Sequence, residues 1–243
     1  MSPPVFLVDT LPDGAETVLA GAEGHHAAAV RRLRPGEAVL LSDGAGGLAE
    51  CTVARVGGDR LTLAVLGRTR IEPPRPRLVV VQALAKGDRG ELAVELLTEV
   101  GADEVVPWAA ARSVAVWRDQ RGARALAGWR ATAREAAKQS RRAWLPQVTE
   151  PHSTAEVAAR LAATGGGLLL ERDADVPLSS AALPAGGDLV VVVGPEGGVT
   201  ADELAAFTAA GGRPVRLGPT VLRTSTAGAA ALAVLSVRTG RWA

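Results

Sequence analysis

The sequence predicts an α/β protein in two parts: a small N-terminal β-barrel, then a mostly parallel sheet covered by helices on both faces. Three observations predict it. Short apolar segments separated by glycine-rich turns fill the chain from Val5 to Ile71. The cluster Pro73-Pro74-Arg75-Pro76 then interrupts, since such a run continues neither a ladder nor a helix and stiffens what it connects. Beyond it, strand-length apolar runs alternate with helix-length segments, the rhythm of a parallel sheet with crossover helices. The expected division is residues 1–72 and 73–243.

Taken in order, Val39–Ser42, Leu48–Val56 and Leu61–Leu66 read as strands. They are joined by Asp43-Gly44-Ala45-Gly46-Gly47 and Gly57-Gly58-Asp59, a spacing that suits hairpins. One short helix around Glu23 to Leu33 interrupts them. After the prolines, Leu78–Ala83, Glu104–Pro107, Gly167–Leu170, Leu189–Val193 and Val215–Leu217 read as strands of the second sheet. Ser153 with Glu156, and Thr200 with Glu203, have the spacing of a capping box, so a helix is expected to start at each.

Composition narrows the chemistry. With 243 residues, 47% hydrophobic and 22% charged, the chain can bury its own core, and disorder or coiled coil is a poor reading. One cysteine, Cys51, and three histidines leave too few soft ligands for a zinc site, so no metal is expected. No apolar run approaches the roughly 20 residues of a membrane helix, and no basic start leads into a long apolar stretch. A cytoplasmic protein without a membrane partner is the expectation.

The net charge of +1 hides a local excess. Between Arg112 and Arg142 nine basic residues face two acidic ones, a surplus of +7. Arg130, Arg134, Lys138 and Arg141 or Arg142 recur at helical spacing and share one face. Trp117, Trp129 and Trp144 lie in or beside this stretch. Arginine pairs bidentately with phosphate and indole stacks on bases, so the combination suits a nucleic acid. The plainer alternative is a solvated helix face whose tryptophans belong to the core.

The most informative segment is Val190-Val191-Val192-Val193-Gly194-Pro195-Glu196-Gly197-Gly198, which runs into the capped helix at Thr200. A buried strand entering a glycine turn and a helix start is a common ligand position in α/β sheets. It is neither a dinucleotide fingerprint nor a P-loop. Lacking lysine and carrying Glu196, it suits a neutral nucleoside or a cation better than a phosphate. A second such loop, Leu217-Gly218-Pro219-Thr220-Val221-Leu222-Arg223-Thr224-Ser225-Thr226-Ala227, also follows a strand and opens a helix of small residues.

Together these two loops resemble the cofactor loops of the RsmE family of ribosomal RNA methyltransferases, members of the trefoil-knot SPOUT class. The resemblance extends along most of the chain: Gly24-His25-His26, Val30, Arg32 and Pro35-Gly36 near the start; Gln82-Ala83-Leu84-Ala85-Lys86, Glu99-Val100-Gly101-Ala102, Pro107 and Arg112-Ser113 in the middle; then Glu135-Ala136, Gln139-Ser140-Arg141-Arg142 and Pro146. Ser225 stands where the family usually has Glu, and Arg31 where it often has Leu. The resemblance implies a PUA-like N-terminal domain and a knotted, dimeric catalytic domain. It also implies methyl transfer from S-adenosyl-L-methionine to N3 of a uridine in small-subunit (16S) ribosomal RNA.

On this resemblance the cofactor is expected at three loops. They comprise Leu169, Leu170 and Glu171; Gly194, Pro195, Glu196, Gly197 and Gly198; and Leu217, Gly218, Val221, Leu222, Arg223, Thr224, Thr226 and Ala227. Arg223 is the expected stabiliser of the anion that forms when uracil N3 loses its proton, and Glu196 the expected proton acceptor. Arg32, Arg112, Arg134, Lys138, Arg141 and Arg142 are the expected contacts to ribosomal RNA or the small subunit. Two further readings stay open: a related SPOUT methyltransferase acting on ribose 2'-OH or transfer RNA, and a non-catalytic RNA-binding assembly module.

Overall fold

The computed structural model describes residues 3–184 and 186–242, and these divide into two compact units. The first comprises Met1–Pro73 with Ala137–Leu145, the second Pro74–Ala136 with Pro146–Ala243.

In the first unit, β1 (Val5–Leu7), β2 (Glu16–Leu19), β3 (Ala38–Ser42), β4 (Gly47–Gly57) and β5 (Arg60–Arg70) form a five-stranded sheet in the order β1-β3-β4-β5-β2. Every pairing is antiparallel except β1 with β3. Alternation along β4 points Ala49, Cys51 and Val53 inward, onto a core shared with Phe6, Leu41, Leu61 and Leu63. Burial pushes the Cys51 thiol above its ordinary pKa, against the smaller opposing effect of Arg68. The helix expected at Glu23 to Leu33 is shorter: α1 spans Gly21–His25 and widens over His26–Val30, with Arg31 N–H donating to His26 O at 2.8 Å.

The second unit holds a six-stranded, wholly parallel sheet in the order β11-β9-β10-β6-β7-β8. Its strands are β6 (Leu78–Ala83), β7 (Glu104–Trp108), β8 (Gln147–Val148), β9 (Gly167–Leu170), β10 (Leu189–Val193) and β11 (Gly212–Val215). The helices are α2 (Arg89–Glu99), α3 (Asp119–Gln139), whose last residues group with the first unit, α4 (Thr154–Ala163), α5 (Ala201–Ala209) and α6 (Thr224–Arg238). Strands buried on both faces read as unbroken aliphatic runs, as β6 and β10 do. One face packs on α2, α3 and α6 through Leu97, Trp129 and Leu232; the other packs on α4 and α5 through Val157, Leu161 and Phe207.

Strand β11 starts earlier than the expected Val215–Leu217 and includes Pro214. Proline is tolerated there because β11 is an edge strand with β9 as its one neighbour. Both capping boxes form: Ser153 and Thr200 each accept from the backbone of the glutamate three residues on, which returns a bond to the cap. Gly228 lets α6 lie close, because a Cβ there would sit 2.9 Å from Leu97 Cδ2. The small residues of this helix therefore serve its packing on the sheet and on α2.

Residues 174–178, between β9 and β10, run beside the chain that leaves β11. Leu178 N–H donates to Arg216 O at 2.8 Å and Arg216 N–H to Val176 O at 3.0 Å. From α6, the Arg238 guanidinium donates to the carbonyls of Leu178 and Ala181, both at 2.7 Å. The segment from β11 to α6 is thus held against this loop.

Candidate functional site

The carboxyl ends of β9, β10 and β11 open onto one crevice of about 560 Å³, within the usual range for small-ligand sites. Adjacent parallel strands point their ends the same way, so the loops following Leu170, Val193 and Val215 converge. Of the expected cofactor residues, Leu170, Glu171, Gly194 to Gly198, Leu217, Gly218, Val221 to Thr224 and Ala227 line it. Leu169 faces the opposite core, and the Thr226 hydroxyl turns back to Arg223 O at 3.2 Å. Ser225 is buried in the first turn of α6 and lies outside the lining.

Two glycines shape the wall. Gly198 adopts φ +75°, a left-handed conformation that side chains rarely take. A Cβ at Gly218 would meet nothing within 4 Å, so a side chain there would fill crevice space without disturbing the protein. Behind the wall, the Thr224 hydroxyl donates to Gly194 O at 2.7 Å and accepts from Gln82 Nε2 at 3.0 Å, tying both glycine loops to β6. Sequence reasoning did not assign Gln82 this role, because its partner lies 142 residues away.

The charges are mixed. Glu171, Asp173 and Glu196 line the crevice beside Arg89, Arg172, Arg216 and Arg223. Glu196 is held at the wall by Arg89 Nη1 at 3.6 Å and by the Lys86 backbone N–H at 3.4 Å. Arg223 is exposed at the mouth, and among the described residues its side chain makes no hydrogen bond or ion pair. Arg89 was missed by sequence reasoning, although it follows strand β6 just as the glycine loops follow theirs. Glycine walls with carboxylates and guanidinium groups side by side suit a nucleoside that carries both signs of charge, such as S-adenosylmethionine.

Arg112 reaches the same site, its Nη1 donating to Gly197 O at 3.1 Å. Glu203, in the capping box of α5, is 4% exposed and also accepts from Ala111 N–H at 2.8 Å and the Thr154 hydroxyl at 3.1 Å. Burial opposes ionisation of this carboxyl, but the donors from Ala111, Thr200 and Thr154 outweigh it and leave its pKa lowered.

Several of the expected RNA contacts are engaged within the protein. Lys138 pairs with Glu23 Oε1 at 3.0 Å with its side chain 9% exposed, inside the first unit. Arg134 and Arg142 are engaged as well, and Arg130 holds Glu150 at 2.9 Å. Arg32 and Arg141, both in left-handed backbone, and Arg112 are exposed. The tryptophans are structural: Trp129 packs edge-on against Trp117 at 4.9 Å, and Trp144 Nε1–H donates to Ile71 O at 2.9 Å. Trp129 and Trp117 thus belong to the core, as the plainer alternative has it, whereas Trp144 is half-buried outside it.

The chain is similar to known proteins over most of its length. The profile of an RNA methyltransferase domain matches residues 72–236, and that of an RNA methyltransferase PUA domain matches residues 19–66. Ribosomal RNA small subunit methyltransferase E of Mycobacterium bovis is 51% identical, the match covering 98% of this chain and 93% of the relative. The Bacillus subtilis protein of the same name is 31% identical over 91% of this chain and 90% of its own. The crystal structure of the Neisseria gonorrhoeae protein of that name, bound to S-adenosyl methionine, superposes with a TM-score of 0.87 at 26% identity, covering 98% of each chain.

Proposed function

We propose that this chain, which belongs to the ribosomal RNA small subunit methyltransferase E family, methylates N3 of a uridine in 16S ribosomal RNA from S-adenosyl-L-methionine. The observation that carries the reading is the convergence of three strand-end loops on one glycine-walled, partly acidic crevice with an unpaired arginine at its mouth. Backbone at Gly194 to Gly198 and at Leu217 to Leu222 would hold the cofactor, with Glu171 and Glu196 complementing its charge. When bound, it supplies a methyl group activated by a sulfonium.

The chain's own residues do the rest. Methyl transfer needs the nucleophile aligned with the methyl carbon and leaving sulfur, and the Gln82–Thr224–Gly194 bonds fix the loops that set this alignment. Glu196 takes the N3 proton, and Arg223 stabilises the anion that remains. Residues 1–72 form the RNA-binding domain and 73–243 the catalytic one, with Arg32, Arg112, Arg134 and Arg141 on RNA-facing surface; the family resemblance supports this division.

The protein acts in the cytoplasm, where its substrate is made, and works as a homodimer. No helix among the described residues is long and apolar enough to cross a membrane, and no group of residues there could hold a metal ion. The dimer rests on the class resemblance alone, since the small face of α6 is used internally. Sedimentation showing an active monomer at micromolar concentration would sink it.

The deciding experiment is mass spectrometry of nucleosides from ribosomal RNA incubated with the protein and isotopically labelled cofactor. Label in 3-methyluridine is expected. Label on ribose oxygen would replace this reading with the ribose-directed one, and no label with no cofactor binding would favour the assembly module.

A further inference from the structure

The stretch between β7 and α3 has no regular secondary structure, yet its exposure alternates like a strand. Arg112, Val114, Val116 and Arg118 are exposed, while Ser113, Ala115 and Trp117 turn inward. Val114 and Val116 are 62% and 58% exposed.

This ribbon is anchored at both ends. At its start, Ala111 N–H is held by Glu203 and Arg112 by Gly197 O, a residue of the crevice wall. At its end, Trp117 packs on Trp129 and on Gly122, where a Cβ would come within 3.0 Å of the Trp117 backbone. Asp119, at φ +48°, then turns the chain into α3.

Arg121 and Arg124 continue the row on the outer side of the first turns of the helix. Arg118, Arg121 and Arg124 are exposed, and none makes a side-chain ion pair or hydrogen bond among the described residues. Of the nine basic residues between Arg112 and Arg142, those further along α3 are largely engaged: Arg130 with Glu150, Lys138 with Glu23, and Arg134 and Arg142 as well. The three unpaired arginines flank the end of a helix where aligned peptide dipoles disfavour cations, so the fold gains little from them there.

We infer that the outer edge of residues 112–124 is a track for single-stranded RNA leading away from the crevice, with Arg118, Arg121 and Arg124 on phosphates and Val114 and Val116 against bases. The inference rests on the methyltransferase reading and says where RNA flanking the target nucleotide lies. A row of exposed cations and apolar groups, anchored at both ends, suits an unstacked strand, whose bases and phosphates both need partners. Its Arg112 end touches the loop that would hold the cofactor, so RNA on the track is delivered to the reacting centre.

The test replaces Arg118, Arg121 and Arg124 together by Glu, and in a second variant by Gln, leaving Arg112 in place. Affinity for a labelled single-stranded RNA and for 16S ribosomal RNA is measured against salt, with cofactor affinity by calorimetry and mass by sedimentation. The Glu variant is expected to bind RNA at least about 10-fold more weakly, and either variant to lower the salt slope by about 2. Cofactor affinity and mass should match wild type. Unchanged RNA affinity and slope, with wild type methylating ribosomal RNA, would overturn the track alone. A change of oligomeric mass would overturn it in favour of a contact between copies. Failure of the wild type to methylate, with RNA binding still weakened in the variants, would count against the proposed function and not against the track.

Discussion

Gly218 offers the cleanest probe of the crevice at the scale of one residue. Its backbone is ordinary and a Cβ there is unopposed, so Gly218→Val should fold normally and raise the S-adenosylmethionine Kd at least about 10-fold by filling ligand space, read by calorimetry. Gly197→Val is less clean, because its Cβ would press on Arg112 at 3.0 Å. Arg223→Gln should lower kcat on the order of 100-fold, more than it weakens cofactor binding, if the arginine meets the developing N3 anion. Glu203 carries a pH prediction. Its pKa is lowered in the folded protein, so its stabilisation is complete above the ordinary carboxyl value of about 4.3 and is lost as pH falls through the lowered one. Glu203→Gln should cost about 1–3 kcal/mol at neutral pH and flatten the acid limb of urea stability against pH. Much at this scale was legible, because glycine turns and capping pairs are written in adjacent residues. Arg89 and Gln82 were not read as site residues, since their roles depend on partners 107 and 142 residues away.

Elements were legible where a local rule decides them. Leu78–Ala83, Gly167–Leu170 and Leu189–Val193 form strands with the bounds their apolar runs suggest, because a doubly covered strand needs little but aliphatic side chains. The two-residue β8 has too little sequence to carry a signal, and the 112–118 ribbon is held by packing and not by a ladder. The basic face of α3 misleads for a similar reason. Helical spacing groups Arg130, Arg134 and Lys138, but spacing says nothing of Glu23, which takes Lys138 out of solvent. Lys138→Ala should therefore destabilise the protein by about 1–3 kcal/mol, as it breaks a mostly buried ion pair, whereas exposed Arg141→Ala should change stability by less than about 0.5 kcal/mol. Comparing the two by urea unfolding separates a structural cation from a surface one.

For the whole molecule, two units and a parallel sheet could be read from composition shifts, but the seating of the β9–β10 loop on Arg216 and Arg238 could not. Spacing never justifies a knot, and family resemblance alone brought it into view. Grouping of Ala137–Leu145 with the first unit is equally invisible, since the expected boundary rests on the proline cluster alone. Truncation after Arg223 should abolish cofactor binding while leaving the first unit folded, checked by calorimetry and circular dichroism. The clamp of Arg238 on Leu178 and Ala181 also fixes a timetable. A chain emerging from the ribosome at roughly 5–20 residues per second completes one wall at Glu171 seconds before the helix that must slip past that loop exists. On the proposed placement of the methyl donor, a nascent chain gains the last wall of its crevice only when the segment from Leu217 to Ala227 is released.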